Sequence, residues 1–284
     1  MGSSHPTDSE TWLRRMRAWG IRPSRSKGQN FLLDAEIVAR IADEAHLQPG
    51  DKVLEIGPGL GILTEELLRR GADVTAIELD DSLAPRLEKH FAQEPRFRLV
   101  HADATQVDPA DLFARDERYR IVANLPYSVA TMIVRHFLES ALPPSELIVM
   151  VQQEVAERMT ATAGDLSLLT LATRLYTEPE YLFTVPREAF HPAPKVTSAV
   201  VRLRSRKQPL LDDAERHRLF ELATLAFQQK RKTLLNTLSR GLGIGKEELA
   251  SRLQMIGIDG TQRPQALDFE DWLSLARADL DVPA

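Results

Sequence analysis

Between residues 52 and 160 short apolar runs alternate with amphipathic stretches, and this alternation constrains the fold more than any other feature. The runs are 52–57 (KVLEIG), 73–80 (DVTAIELD), 97–103 (FRLVHAD), 119–125 (YRIVANL) and 146–152 (ELIVMVQ). Each has the length of a strand and is bounded by turn residues. Apolar residues recur at helical spacing in 34–46, 62–71, 128–140 and 154–159, with Asp34 placed to cap the first helix and Gly71 to end the second. Another helix must begin close to Leu83, because Pro85 is tolerated only in a first turn. Apolar strands interleaved with amphipathic helices predict a parallel α/β sheet with helices on both faces.

The pattern changes after residue 160. Residues 166–176 read as a helix, and 179–185 and 198–205 as two further strands around a proline-rich loop. After Pro209 only helical patterns follow, at 212–229, 231–240, 246–254 and 268–278. These place a boundary near 207–208, with an α/β domain over 1–207 and a small all-α C-terminal domain over 208–284. Residues 1–11 are expected to be a flexible start, and "MGSSH" reads as an expression-tag remnant.

The chain has no cysteine, which excludes disulfides, thiolate catalysis and thiolate zinc sites and suits a reducing cytoplasm. Seven histidines form no HxxxH pair, so no metal site is expected. No apolar run reaches the roughly 18 residues of a membrane span. The net charge of −5 is unlike that of a simple nucleic-acid binder. Positive charge is nevertheless clustered. Arg14, Arg15, Arg17, Arg22, Arg25 and Lys27 form one run, Arg202 and Arg204 lie in a second, and Lys230, Arg231 and Lys232 form a third. Such patches can bind phosphates on an otherwise acidic surface, although a single short run is more often solvated charge.

A glycine loop, Gly57-x-Gly59-x-Gly61, follows the first strand and precedes a helix. There, backbone N–H groups can approach a ligand closely. Alone, it fits a dinucleotide fingerprint, a methyl-donor loop or a tight turn. Glu78 ends the second strand about twenty residues on, where an acid can accept both hydroxyls of a ribose. Asp103 ends the third strand, where an acid can bind an adenine amino group. Strand ends along one edge are where open α/β sheets bind ligands. Ile62 stands where a dinucleotide fingerprint has its last glycine, Glu55 suits a sulfonium donor, and no clear acid/base pair for hydride transfer is present.

The fourth strand ends in Asn124-Leu125-Pro126-Tyr127. An adenine N6 amine is a poor nucleophile because its lone pair is delocalised into the ring. Two acceptors, the Asn124 carboxamide oxygen and the Leu125 carbonyl, could hold its N–H groups and favour a pyramidal nitrogen. Pro126 would aim that carbonyl and Tyr127 would stack on the base. Positioning and electrostatics then suffice without a covalent intermediate or a metal.

At this point a resemblance becomes visible over almost the whole chain. The segments KGQNFLLD (27–34), VLEIGPGLGILTEEL (53–67), AIELD (76–80), ADA (102–104), VANLPYSVAT (122–131) and MVQQEVAERM (150–159) carry it. So do VPREAFHPAPKVTSAVVRL (185–203) and AFQQKRKTLLNTL (226–238). The sequence resembles the KsgA/RsmA-type adenine N6,N6-dimethyltransferases of small-subunit ribosomal RNA. The resemblance implies a Rossmann-like methyltransferase sheet, a helical C-terminal domain and S-adenosylmethionine as donor. It implies that Asn30 and Leu32, with Gln29 as a possible neighbour, close over the donor. It supports Gly57 and Gly59 in the methionine-side loop, Glu78 on the ribose, Asp103 on the donor adenine, and Asn124 at the transfer centre, where it also contacts the donor. Phe190 would be a second aromatic face opposite Tyr127, with core packing as its alternative.

The implied reaction dimethylates two adjacent adenosines in a hairpin near the 3′ end of small-subunit (16S) rRNA during ribosome assembly. Two alternatives share these motifs: a large-subunit enzyme of the macrolide-resistance type and a non-catalytic RNA-binding assembly factor. The expected partner is small-subunit rRNA or a pre-ribosomal particle, met by a monomer in the cytoplasm. RNA contacts are expected from Arg14, Arg15, Arg22, Arg25, Lys27, Arg202, Arg204, Lys230, Arg231 and Lys232. Two departures from the usual pattern are Gly164-Asp165 before Leu166-Ser167, and Ala102 in "HADA", where a Gly is commoner before the acid.

Overall fold

The computed structural model describes residues 9–24, 29–229, 231–278 and 280. The chain divides into two compact units, Met1–Ala156 with Glu180–Ser205, and Glu157–Pro179 with Arg206–Ala284.

The strands are β1 (Phe31–Leu32), β2 (Lys52–Ile56), β3 (Asp73–Glu78), β4 (Phe97–His101), β5 (Tyr119–Asn124), β6 (Glu146–Gln152), β7 (Thr177–Val185), β8 (Phe190–His191) and β9 (Ser198–Ser205). Among the described residues the helices are α1 (Ser9–Ala18), α2 (Ala35–Glu44), α3 (Ile62–Arg69), α4 (Ala84–His90), α5 (Ala130–Leu138), α6 (Gln153–Thr160), α7 (Leu168–Tyr176), α8 (Asp213–Phe227), α9 (Leu234–Leu242), α10 (Lys246–Met255) and α11 (Phe269–Arg277).

Seven strands form one sheet in the order β4-β3-β2-β5-β6-β9-β7. The first five are parallel, and β9 runs antiparallel to β6. The expected α/β sheet is therefore present. Proline at position 179 fits β7, which is an edge strand and can forgo one ladder hydrogen bond. The helix starts follow local chemistry. Asp34 accepts the N–H groups of Glu36 and Ile37 to cap α2, and Pro85 sits in the first turn of α4.

Helix α1 adds to what the sequence announces, since that stretch stands out there only for its charge. Its Trp12 and Met16, one turn apart, are both buried. The two-residue ribbon of β1 and β8 is also new. It pairs Phe31 with His191 and Leu32 with Phe190, residues far apart in the chain.

Strand order places the switch point at β2. The chain moves outward from β2 to β3 and β4, then returns to place β5 on the other side of β2. β2 pairs with β3 as far as Ile56↔Ile77, but with β5 only as far as Leu54↔Ile121. The carboxyl ends of β2 and β5 consequently part, and a crevice opens between them.

The second unit has its own core, built from Leu219, Leu222, Leu238, Leu253 and the fully buried Trp272, which stacks on Phe227 at 5.3 Å. Helices α7, α8 and α11 each start with a reciprocal capping box, made by Ser167 with Thr170, Asp212 with Glu215 and Asp268 with Asp271.

Candidate active site

A cavity of about 420 Å³ occupies the crevice at the carboxyl ends of β2, β3 and β5. The glycine loop forms its floor. Gly57, Gly59 and Gly61 all have positive φ, at 68°, 61° and 77°, a region that favours glycine. A Cβ on Gly59 would lie 3.2 Å from the Phe31 ring, and one on Gly61 would lie 2.9 Å from Phe91. At Gly59 and Gly61 packing thus disfavours a side chain, as the backbone conformation does at all three.

The loop is tied to β3. The Gly57 N–H donates to the Ile77 carbonyl at 2.9 Å, and the Gly59 N–H donates to Glu78 Oε2 at 3.2 Å. The other oxygen of Glu78 accepts the Asp80 N–H at 2.9 Å. Burial raises the Glu78 pKa, while the backbone N–H groups of Asp80 and Gly59 partly counter it. Glu55 also lines the cavity. It is fully buried, accepts a hydrogen bond from Thr64 Oγ1 at 2.6 Å, and is pushed up to about 8 by burial.

The opposite wall is Asn124, Leu125, Pro126 and Tyr127, followed by Ser128 and Val129. The Leu125 N–H donates to the Met150 carbonyl of β6 at 3.1 Å, and the Leu125 side chain is buried. That peptide is therefore fixed. The Asn124 carboxamide has no hydrogen-bond partner among the described residues. Tyr127 meets Ser198 through a hydroxyl–hydroxyl hydrogen bond of 2.6 Å. A Cβ on Gly57 would lie 3.8 Å from the Pro126 ring, so the two walls nearly touch.

Gln29, Asn30 and Leu32 close a third side. Gln29 donates from its amide nitrogen to Asp80 Oδ2 at 2.9 Å, and its amide oxygen accepts the Ser24 N–H at 3.0 Å. It pins the segment before β1 against the turn after β3. Asp80 and Thr64 are site residues that sequence reasoning misses. Asp80 lies in the quoted AIELD segment, whereas nothing in the local pattern marks Thr64.

Two expected residues stand apart from these. Asp103 is exposed and does not line the cavity; its carboxylate accepts the N–H and Oγ1 of Thr105 at 2.9 and 2.8 Å. Those two bonds lower its pKa. Phe190 is buried in the core of the first unit, opposite Leu32 in the β1–β8 ribbon, and does not line the cavity.

The basic residues divide by environment. Arg202 is 4% exposed and makes ion pairs with Glu44 at 2.7 Å, Glu180 at 2.9 Å and Glu146 at 3.3 Å. An RNA phosphate cannot reach it there, which corrects its place among the expected contacts. Arg15 donates to the Leu60 carbonyl at 3.0 Å and pairs with Glu65 at 2.6 Å, bracing α1 on the end of the glycine loop. Arg204 is exposed and pairs with Glu146 and Glu180, both at 3.4 Å. Arg14, Arg22, Arg231 and Lys232 are exposed. Arg25, Lys27 and Lys230 lie outside the described residues.

Among the described residues no cluster of three or more histidine or acidic side chains could hold a metal, and no helix is long and apolar enough to cross a membrane. The cavity is of a size that holds a nucleoside-sized ligand. Its buried carboxylates and close-approach glycines fit the cationic, ribose-bearing S-adenosylmethionine. A switch-point crevice on a Rossmann-like sheet, with this lining and an amide-bearing turn as one wall, fits an S-adenosylmethionine-dependent methyltransferase.

Comparison narrows the class. The family described as ribosomal RNA adenine dimethylase matches residues 22–278. Two similar proteins, from Moorella thermoacetica and Dehalococcoides mccartyi (strain CBDB1), are each named ribosomal RNA small subunit methyltransferase A. The first is 42% identical over 93% of this chain and 95% of its own length. The second is 41% identical over 92% of this chain and 89% of its own length. The crystal structure of the 23S rRNA methyltransferase ErmE is similar with a TM-score of 0.70 and 33% identity, covering 87% of this chain and 98% of that one. A dimethyladenosine transferase from Plasmodium falciparum is similar with a TM-score of 0.72 and 26% identity, covering 84% of this chain and 94% of that one. The chain belongs to the ribosomal RNA adenine dimethylase family.

Proposed function

We propose that the protein transfers methyl groups to the N6 of two adjacent adenosines in a 3′-terminal hairpin of small-subunit rRNA, giving N6,N6-dimethyladenosine. One observation carries this reading: the Asn124–Tyr127 turn walls the same cavity as Gly57, Gly59 and Glu78. Similarity to proteins named for the small subunit supports that substrate over the large-subunit alternative.

S-adenosylmethionine, when bound, supplies an electrophilic methyl carried on a sulfonium. Glu78 accepts the ribose hydroxyls, and its carboxylate is held for that by the Gly59 and Asp80 N–H groups. Gly57 and Gly59 bring the backbone close on the methionine side. Asn30 and Leu32 cover the donor. Gln29 acts through Asp80, which it holds by a 2.9 Å hydrogen bond. Asp103 meets the donor adenine from outside the main cavity.

The Asn124 oxygen and the Leu125 carbonyl accept the target N–H groups and turn the nitrogen lone pair toward the methyl. Their geometry is preset by the Leu125–Met150 hydrogen bond and by Pro126, so little reorganisation accompanies reaction. Asn124 and Leu125 hold the amine in line for displacement of the methyl from a bound donor, which leaves as a neutral thioether. The extra proton on nitrogen passes to water. Tyr127 stacks on the base. Phe190 contributes by pairing with Leu32 across the β1–β8 ribbon and so holding it in place. A second transfer starts from an amine with one N–H, and a neutral amide beside a carbonyl tolerates the lost donor better than a carboxylate does.

RNA phosphates are met by Arg14, Arg22, Arg231 and Lys232, with Arg25, Lys27 and Lys230 completing their runs. The enzyme works as a monomer in the cytoplasm on a pre-ribosomal particle. Calorimetry and methyl incorporation test the reading together. S-adenosylmethionine should bind where NAD does not, and methyl should enter isolated small subunits and not large ones. The reverse pattern in either assay contradicts it.

A further inference from the structure

The Tyr127 hydroxyl ends 2.6 Å from Ser198 Oγ, and Ser198 has no solvent exposure. Ser198 opens β9 opposite Gln152 of β6, and the adjoining Thr197 carbonyl accepts the Gln153 N–H at 3.0 Å. Its position is therefore set by β6. The same strand sets the amine acceptors, because Met150 pairs with Asn124 and accepts the Leu125 N–H. The two sides of the proposed base site are thus referenced to one strand, two residues apart.

We propose that Ser198 is a positioning residue that fixes the Tyr127 ring as a base platform through this single hydrogen bond. The proposal rests on the reading of Tyr127 as the ring that stacks on the target adenine. A tyrosine attached only through its Cα can swing about two side-chain torsions. Anchoring the far end of the phenol removes that freedom before the base arrives. Ser198 is withdrawn from water and Tyr127 is half-buried, so the bond is not readily exchanged for one to solvent. Its consequence is kinetic. A loose platform admits the base but leaves its nitrogen misaligned with Asn124, and small misplacements of a reacting group are costly. The donor pocket is untouched, since Ser198 does not line it.

Four variants test this: Ser198→Ala, Tyr127→Phe, the double variant and Tyr127→Ala. Each is assayed by single-turnover methyl transfer to undermethylated small subunits and by donor binding. The expected result is a roughly tenfold slower transfer in each conservative single variant, with donor affinity unchanged. The double variant should be no slower than either single one, because both remove the same bond. Tyr127→Ala should be slower still. Tyr127→Phe leaves Ser198 in place, so it remains informative if Ser198→Ala folds poorly. Wild-type rates in both conservative variants, alongside a slow Tyr127→Ala, would overturn the role of Ser198 and leave the platform reading intact. Losses that multiply in the double variant would also overturn it. A Tyr127→Ala enzyme as fast as wild type would remove the platform reading and the proposal with it.

Discussion

The Gly59 backbone N–H donates to the Glu78 carboxylate at 3.2 Å, so the glycine loop and the acid at the end of β3 form one hydrogen-bonded unit. Two features separated by about twenty residues are thus coupled before any ligand arrives, and each holds the other in its binding geometry.

A change to either residue should therefore weaken donor binding. Glu78→Ala removes a charged acceptor and should raise the donor Kd by about 10- to 100-fold, in line with roughly 1.5–3 kcal/mol for hydrogen bonds to a charged group. Gly59→Ala combines a left-handed φ of 61° with a contact on Phe31, and should weaken binding similarly. Calorimetric titration of each variant with S-adenosylmethionine measures both effects; unchanged affinity in Glu78→Ala would count against its role.

Glu55 should make both stability and donor binding depend on pH. Its carboxyl ionises near 4.5 ordinarily and is raised to about 8 in the fold. Between those values the unfolded chain has lost a proton that the folded chain keeps. Stability of the donor-free protein therefore falls as pH rises through that window and levels off above it. Glu55→Gln should flatten this slope in melting curves recorded from pH 5 to 8. A cationic donor favours the ionised carboxylate, so binding at pH 7 should release a proton and tighten as pH rises. Calorimetry in two buffers of different ionisation enthalpy reads that proton directly, and no release would contradict the assignment.

Asn124→Ala should separate chemistry from binding. It leaves the glycine loop and Glu78 intact, so donor affinity should stay within about twofold, whereas losing one preset acceptor should slow transfer by roughly 10²–10³-fold. Rapid-quench measurement of the first methyl transfer distinguishes the two, and an unchanged rate would refute the role of its amide.

Burial predicts opposite consequences for arginines that look alike in sequence. Arg202→Ala would take this partner from Glu44, while Glu146 and Glu180 keep Arg204, and should destabilise the fold by about 1–3 kcal/mol through the lost charge-assisted hydrogen bonds. Arg231→Ala with Lys232→Ala should leave the melting temperature nearly unchanged and reduce the slope of log affinity against log salt by up to about 2. Denaturation curves and RNA binding at several salt concentrations check both. An unaltered salt slope would remove Arg231 and Lys232 from the RNA surface.

The sheet was legible because its period is local. Buried strands such as Leu147–Val151 show apolar runs, and residues such as Asp34, Pro85 and Gly71 announce helix ends by their own chemistry. The Asn124–Tyr127 turn and Glu78 were legible for a related reason, since strand ends share one edge whatever the tertiary detail. Other features needed contacts between distant segments. The pairing of Leu32 with Phe190 and the bonds Gln29–Asp80 and Tyr127–Ser198 have no local signature. Arg202 looked like a surface cation because its three glutamate partners lie at positions 44, 146 and 180.

The most direct test is to map methylated adenosines by mass spectrometry after incubating the protein and S-adenosylmethionine with small subunits from a strain lacking this modification. Two adjacent N6,N6-dimethyladenosines in the 3′-terminal hairpin are predicted, with none formed by the Asn124→Ala enzyme in the same time. Methylation elsewhere, or no methylation by the unaltered protein, would contradict the account.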